Sequence, residues 1–75
     1  MDKIQQIVAE ALHVQPSAIN DETSMHNLPI WDSLKHMDVI TSLEQNLGIE
    51  LTFDEIAEMR SVGAIRAVIS AHGAK

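Results

Sequence analysis

The chain has 75 residues, of which 45% are hydrophobic and 21% are charged, and it contains no cysteine. A chain of this length forms one small domain, and packed apolar side chains must stabilise it because no disulfide can. The lack of cysteine excludes a thiolate nucleophile, an iron–sulfur cluster and a cysteine-ligated zinc ion.

The charge balance is acidic, with 11 Asp and Glu against 5 Lys and Arg and a formal net charge of −6. Nucleic-acid binding is not expected, because contacts to phosphates need clustered basic residues and the basic residues here are scattered. The apolar runs are too short for a membrane-spanning helix or a signal peptide. We therefore expect residues 1–75 to form a single soluble domain, monomeric and cytoplasmic.

The first predicted helix covers residues 2 to about 14. Asp2 and Gln5 resemble a capping box at its start. Pro16 ends the segment, because the residue before a proline avoids helical geometry. The apolar residues recur at the spacing of one helical face, at Ile4, Ile7, Val8, Ala11 and Leu12.

Residues 15–31 show no helical or strand period and contain several residues that break regular structure. A loop of this length inside a compact domain is commonly functional. Apolar residues at regular intervals predict that the loop is ordered and packs across the helices. These residues are Val14, Ile19, Met25, Leu28, Ile30 and Trp31.

A second helix is predicted from Asp32–Ser33 to about Leu47, with Asp32 as its N-cap and Gly48 as a left-handed C-terminal cap. Helical spacing then defines a stripe of apolar residues that should be buried. The stripe consists of Leu34, Met37, Ile40, Leu43 and Leu47.

Two further helices follow the second. Thr52 and Glu55 form a capping box that opens a short helix through about Met59, with Phe53 and Ile56 pointing inward. Ser61 caps a last helix from Val62 to about His72, which Gly73 ends. Its inward residues are Val62, Ile65, Val68 and Ile69. The predicted fold is an all-α four-helix bundle of three longer helices and one short helix, with a long ordered loop between the first and second.

The sequence offers few candidates for catalysis or metal binding. Ser33, His36 and Asp38 lie close enough to suggest a nucleophile and its base, but Ser33 and His36 should point outward side by side without an oxyanion hole. A domain this small builds little of a substrate cleft. The four histidines lack the short spacing of metal ligands, and no HExxH or calcium-loop pattern occurs. We therefore predict neither an enzyme nor a metal site.

The tripeptide Asp32–Ser33–Leu34 joins the long loop to the start of an amphipathic helix. A phosphate ester on the Ser33 hydroxyl would be stabilised there by the helix dipole and by free backbone amides. Ordinary N-capping explains the same Asp–Ser pair equally well. The tripeptide alone does not decide between these interpretations.

Two longer segments, Trp31–Met37 (WDSLKHM) and Leu43–Leu51 (LEQNLGIEL), resemble the acyl carrier proteins of the stand-alone, type II-like class. The resemblance extends over the whole chain in the order and spacing of its motifs. It implies that Ser33 is the attachment point for 4′-phosphopantetheine from coenzyme A, whose thiol holds acyl groups as thioesters. The implied partners are a phosphopantetheinyl transferase and the acyl-loading, acyl-transfer or synthase enzymes of a fatty acid, specialised lipid or polyketide pathway. The protein itself is implied to be a carrier rather than a catalyst.

The resemblance also implies roles for neighbouring residues. Asp32 would help the transferase recognise the site, while Leu34 and Met37 would contact partner enzymes. Asp38 and Glu44 match acidic docking positions on the second helix. The residues implied to line a cavity for the acyl chain are Leu43, Leu51, Ile56, Met59 and Ile65. Ile56 and Ile65 are bulky for that role, which predicts a small cavity, and ordinary core packing accounts for them equally well.

Lys35, Gln45 and Asn46 stand where carriers of fatty acid synthesis often have acidic residues. This departure indicates a dedicated set of partners, in a specialised lipid, polyketide or aminoacyl pathway. Two alternatives stay open at this point. One is an aminoacyl or peptidyl carrier loaded by an adenylating enzyme, and the other is a small helical adaptor without a prosthetic group.

Overall fold

The computed structural model describes residues 3–72, which form four α-helices joined by ordered loops. The helices are α1 (Lys3–Leu12), α2 (Ser33–Leu47), α3 (Phe53–Glu58) and α4 (Val62–Ala71). Helix α1 packs against α2 and α4, and α3 packs against α4. The predicted all-α fold of three longer helices and one short helix is confirmed. Within residues 3–72, every helix is too short or too polar to cross a membrane.

Helix α1 ends two residues before the predicted position. His13 adopts a left-handed backbone with φ of 60°, and the Val14 N–H donates to the Ala9 carbonyl at 3.0 Å. A bond of this kind closes the last turn of a helix. Gln15 is then extended, as a residue before Pro16 must be. The early end thus comes from the closing turn at His13.

The long loop is ordered by hydrogen bonds from side chains to backbone. The Gln5 amide on α1 donates to the carbonyls of Pro16 and Ile19, each at 2.8 Å. Asn20 and Asn27 accept from backbone N–H groups nearby in the loop. The loop is therefore fixed to α1, and the prediction that it is ordered is confirmed. Asp2, the other half of the predicted capping box, lies outside the described residues.

The same loop also pairs with the start of α4. The Val62 N–H donates to the Thr23 carbonyl at 3.0 Å, and the Gly63 N–H donates to the Asp21 carbonyl at 2.9 Å. A Cβ at Gly63 would lie 3.1 Å from that same Asp21 oxygen, so glycine permits the close approach. Arg66 adds an ion pair with the Asp21 carboxylate at 2.7 Å. The loop is held between α1 and α4 as a result.

The buried face of α2 differs from the predicted stripe. Ile40 and Leu43 are buried and Leu47 is half-buried, but Leu34 is 80% exposed and Met37 is 51% exposed. The residues that α2 buries are His36, Val39, Ile40 and Leu43. Placing Leu34 and Met37 in the core was wrong, because the face that meets the core begins at His36.

The caps of α3 and α4 form as predicted, but Phe53 is not buried as predicted. Thr52 and Glu55 make both hydrogen bonds of a capping box at the start of α3. Phe53, the first residue of α3, is 84% exposed, so the prediction that it points inward was wrong. Ile30, a predicted loop anchor, is also exposed at 41%. Gly73, the predicted end of the last helix, lies outside the described residues.

A side-chain contact joins α3 to the end of α4. The Glu55 Oε2 atom lies 2.7 Å from His72 Nε2. The Thr52 backbone N–H, followed by His72, holds the pKa of the Glu55 carboxyl below its ordinary value of 4.5. A carboxyl that releases its proton more readily in the folded state stabilises the fold in its charged form.

This contact predicts a pH-dependent contribution to stability. The stabilisation from charged Glu55 should be complete above its ordinary pKa of 4.5 and should disappear as the pH falls through the lower pKa of the folded state. Glu55→Gln keeps a capping-box side chain but removes the charge. We expect this variant to be less stable than the natural chain in urea unfolding at about pH 7, and the deficit to be smaller at about pH 3. Glu58→Gln, on the same helix, is the matched control. A deficit of equal size at both pH values would contradict the prediction.

Candidate functional site

Ser33 is the first residue of α2, and the residue before it supplies the helix cap. The Asp32 Oδ1 atom accepts from the Lys35 N–H at 2.9 Å. Ser33 is exposed, and among the described residues its hydroxyl has no hydrogen-bond partner. Capping chemistry therefore accounts for Asp32 and leaves the Ser33 hydroxyl without a structural task.

A groove of about 450 Å³ opens beside Ser33, between α2, α3 and the long loop. Its volume lies within the range of about 300 to 1,000 Å³ that is usual for small-molecule sites. Most of its surface is apolar. The residues that line it are Met25, His26, Ser33, His36, Met37, Phe53, Ile56, Ala57 and Arg60.

His36 connects the loop, α2 and α3 through its imidazole ring. The Trp31 Nε1–H donates to His36 Nδ1 at 3.1 Å, and His36 Nε2 lies 3.0 Å from the Ile56 carbonyl oxygen. An indole nitrogen can only donate, so Nδ1 accepts and the proton on Nε2 is donated to Ile56. Trp31 is 1% exposed and His36 is 8% exposed. The expectation that His36 points outward beside Ser33 was wrong, since its ring is buried.

The predicted docking residues differ in their surroundings. Leu34, Met37 and Asp38 are exposed on α2. Glu44 is half-buried, and its Oε2 atom accepts from the Leu51 N–H at 2.9 Å. Glu44 therefore holds the turn that follows α2, whereas Asp38 has no comparable bond among the described residues. Asp38 is thus the more accessible of the two carboxylates.

The residues predicted to line an acyl cavity fall into two groups. Leu43, Met59 and Ile65 are each 0% exposed and belong to the core. Leu51 is half-buried and packs against that core. Ile56 alone among the five lines the groove beside Ser33. Most of the residues predicted to line an acyl cavity therefore belong to the core or pack against it, and do not line the groove.

Several groove residues were not predicted as site residues from the sequence. The spacing of His36, Val39, Ile40 and Leu43 follows one helical face and could have placed His36 on the buried side. Arg60 carries no such signal. It reaches the groove because the Met25 N–H donates to its carbonyl at 3.1 Å, a contact between distant parts of the chain.

Known proteins resemble this chain over most of its length. A family model described as a phosphopantetheine attachment site matches residues 2–69. The chain is 31% identical to an acyl carrier protein of Clostridium acetobutylicum over 71 residues, which cover 95% of this chain and 92% of the relative. It is 31% identical to an acyl carrier protein of Thermosynechococcus vestitus over 62 residues, or 83% of this chain and 76% of the relative. An acyl carrier protein of Lactobacillus acidophilus is 28% identical over 71 residues, covering 95% of this chain and 89% of the relative.

Unfolding measurements can test whether Asp32 stabilises the fold by capping α2 while the Ser33 hydroxyl does not contribute. Asp32→Ala should lower the free energy of unfolding by about 1 kcal/mol, because α2 loses its cap. Ser33→Ala should change it by less than about 0.5 kcal/mol, because no hydrogen bond is lost. Urea denaturation of the two variants measures both values. Equal losses in the two variants would show that the Ser33 hydroxyl has a structural role.

Proposed function

The chain belongs to the acyl carrier protein family, and from this membership we propose that Ser33 is the residue that carries its covalently attached 4′-phosphopantetheine. The observation that carries the proposal is the exposed Ser33 hydroxyl, which has no hydrogen-bond partner among the described residues and lies at the edge of an apolar groove. A transferase needs a serine that is exposed to solvent and whose hydroxyl makes no hydrogen bond that stabilises the fold. Ser33 meets both conditions.

The surroundings of Ser33 fit such a group. The first backbone amides of a helix and its dipole favour a phosphate, and Ser33 stands at the start of the 15-residue helix α2. When attached, 4′-phosphopantetheine supplies a thiol that holds acyl groups as thioesters. The chain has no cysteine, so no side chain competes with that thiol for the acyl group. Asp32 orients the site by capping α2 directly before the serine.

The exposed residues of α2 support a role in partner docking. Leu34 and Met37 present apolar side chains beside Ser33, and Asp38 adds an exposed carboxylate on the same helix. Apolar contacts at the centre of an interface supply affinity, while charges govern encounter rate and specificity. We assign contact with partner enzymes to Leu34 and Met37 and electrostatic docking mainly to Asp38. Glu44 is a weaker docking residue, because its carboxylate also binds the Leu51 N–H.

The charges along α2 favour a dedicated set of partners. Lys35 follows Leu34 directly, and Gln45 and Asn46 are uncharged and exposed near the other end of the helix. A partner with a strongly basic surface gains less from this helix than from one with acidic residues at positions 35, 45 and 46, because attraction between surfaces depends on complementary charge. The proposed function is therefore transport of acyl intermediates between the enzymes of a specialised lipid or polyketide pathway.

Attachment of the prosthetic group is tested by mass. Incubation with coenzyme A and a broad-specificity phosphopantetheinyl transferase should add one phosphopantetheine to the natural chain, because one serine is presented at the start of α2. Ser33→Ala should lose the adduct completely, as measured by intact mass spectrometry. Ser42→Ala, on the same helix, is the control and should be modified in full. An adduct that survives in Ser33→Ala would refute the assignment.

The docking role of Asp38 is tested by reversing its charge. Asp38→Lys should slow modification by the transferase several-fold at low salt, because the encounter loses an attractive contact. The difference from the natural chain should shrink at about 1 M salt, where charges are screened within a few ångströms. Glu50→Lys, an exposed change outside α2, is the control for net charge. If Asp38→Lys and Glu50→Lys were modified by the transferase at equal rates at every salt concentration, Asp38 would not guide docking.

A further inference from the structure

The imidazole of His36 lies where the groove meets the buried core. The residue lines the groove together with Ser33, Met37 and Ile56, yet only 8% of its surface is exposed. Three residues beyond Ile56, Met59 is 0% exposed and belongs to the core. The hydrogen bond from His36 to the Ile56 carbonyl, at 3.0 Å, spans the space between α2 and α3.

We propose that His36 closes the floor of this groove and keeps the acyl cargo out of the core, so that this carrier is matched to short acyl groups. The proposal rests on the proposed function, since the cargo is the acyl group borne on Ser33. It assigns to His36 a positioning role that determines cargo length.

The groove is placed to receive a group attached to Ser33. Ser33 is itself one of the lining residues, so a group attached to its hydroxyl is confined near the groove at high effective concentration. Met25, Met37, Phe53 and Ile56 give the groove an apolar surface that suits an acyl chain. At about 450 Å³ the groove stands in the lower part of the range for small-molecule sites, and part of it must hold the prosthetic arm. A short chain fits this space better than a long one.

The hydrogen bonds of His36 oppose entry of an acyl chain into the core. A chain that passed between α2 and α3 would have to separate His36 from the Ile56 carbonyl. Rotation of the ring would also remove the acceptor of the Trp31 indole N–H, in a place where Trp31 is 1% exposed. Buried donors that lose their acceptors are strongly disfavoured. The two hydrogen bonds therefore act together against entry.

Methyl groups on both sides of His36 allow a direct test. Met37 and Ile56 report on the groove, whereas Met59 and Ile65 report on the core. The transferase loads the full chain from coenzyme A analogues that carry a butyryl or myristoyl group through an amide in place of the thioester. The acylated phosphopantetheine passes to the Ser33 hydroxyl, and adenosine 3′,5′-bisphosphate is released. Methyl NMR spectra are then compared with the unacylated form. In the natural chain, the butyryl group should shift the groove methyls. The myristoyl group should shift the core methyls several-fold less than the groove methyls.

Two conservative variants separate the hydrogen bond to α3 from simple packing. In His36→Gln the amide nitrogen can still donate to the Ile56 carbonyl, so the core methyls should remain unshifted by the myristoyl group. In His36→Asn the shorter amide cannot reach that carbonyl, and the core methyls should shift. The double variant Trp31→Phe/His36→Leu replaces both partners of the Trp31–His36 hydrogen bond with apolar side chains, so that neither is left buried without its partner. It serves as the test variant if His36→Asn does not fold. It too should admit the myristoyl chain.

The outcomes distinguish this proposal from the one on which it rests. If intact mass spectrometry showed that Ser33 accepts no phosphopantetheine, both the proposed function and the role of His36 would be overturned. Successful loading with core methyls shifted as strongly as groove methyls in the natural chain would overturn the role of His36 alone. Equal core shifts in His36→Gln and His36→Asn would overturn it as well. The proposal would be supported if the myristoyl group left the core methyl signals unshifted in the natural chain and in His36→Gln. The same signals should then shift in His36→Asn or in the double variant.

Discussion

The hydrogen bonds of the His36 imidazole join the parts of the molecule on which the site depends. Trp31 belongs to the loop, His36 to α2 and Ile56 to α3, and one ring contacts all three. Trp31 is also the residue directly before the Asp32 cap and Ser33. The start of α2 and the wall of the groove are therefore fixed relative to each other by a single side chain. This bridge holds the surroundings of Ser33, the first residue of α2, in place.

The long loop extends that constraint to the rest of the bundle. Gln5 holds it to α1, while the carbonyls of Asp21 and Thr23 accept from the first residues of α4. Met25 reaches the groove from this loop, and its backbone bond to Arg60 brings in the segment between α3 and α4. Order in the loop thus comes from polar contacts made at both ends of the bundle. Two apolar residues of the loop, Ile19 and Trp31, are buried in the core.

Much of the fold follows from local chemistry that a sequence displays. Caps such as Asp32 and Gly48 mark helix ends through contacts within a few residues, so the bounds of α2 could be predicted. The orientation of Phe53 could not, because it depends on how a six-residue helix packs against its neighbours. The groove escaped prediction for the same reason, since Met25 and Arg60 meet only through a contact between distant segments. Ser33 could be proposed from the sequence because its setting at the start of α2 is local, whereas the surroundings of its neighbours depend on contacts between distant segments.

Fragmentation of the intact, phosphopantetheine-loaded natural chain tests the central claim most directly. The account predicts that the added mass is carried by the residue between Asp32 and Leu34, so that fragments ending at Asp32 keep their unmodified mass and those ending at Ser33 gain the group. Attachment at any other serine or threonine would contradict it. A folded chain that accepts no group from several transferases would contradict it equally.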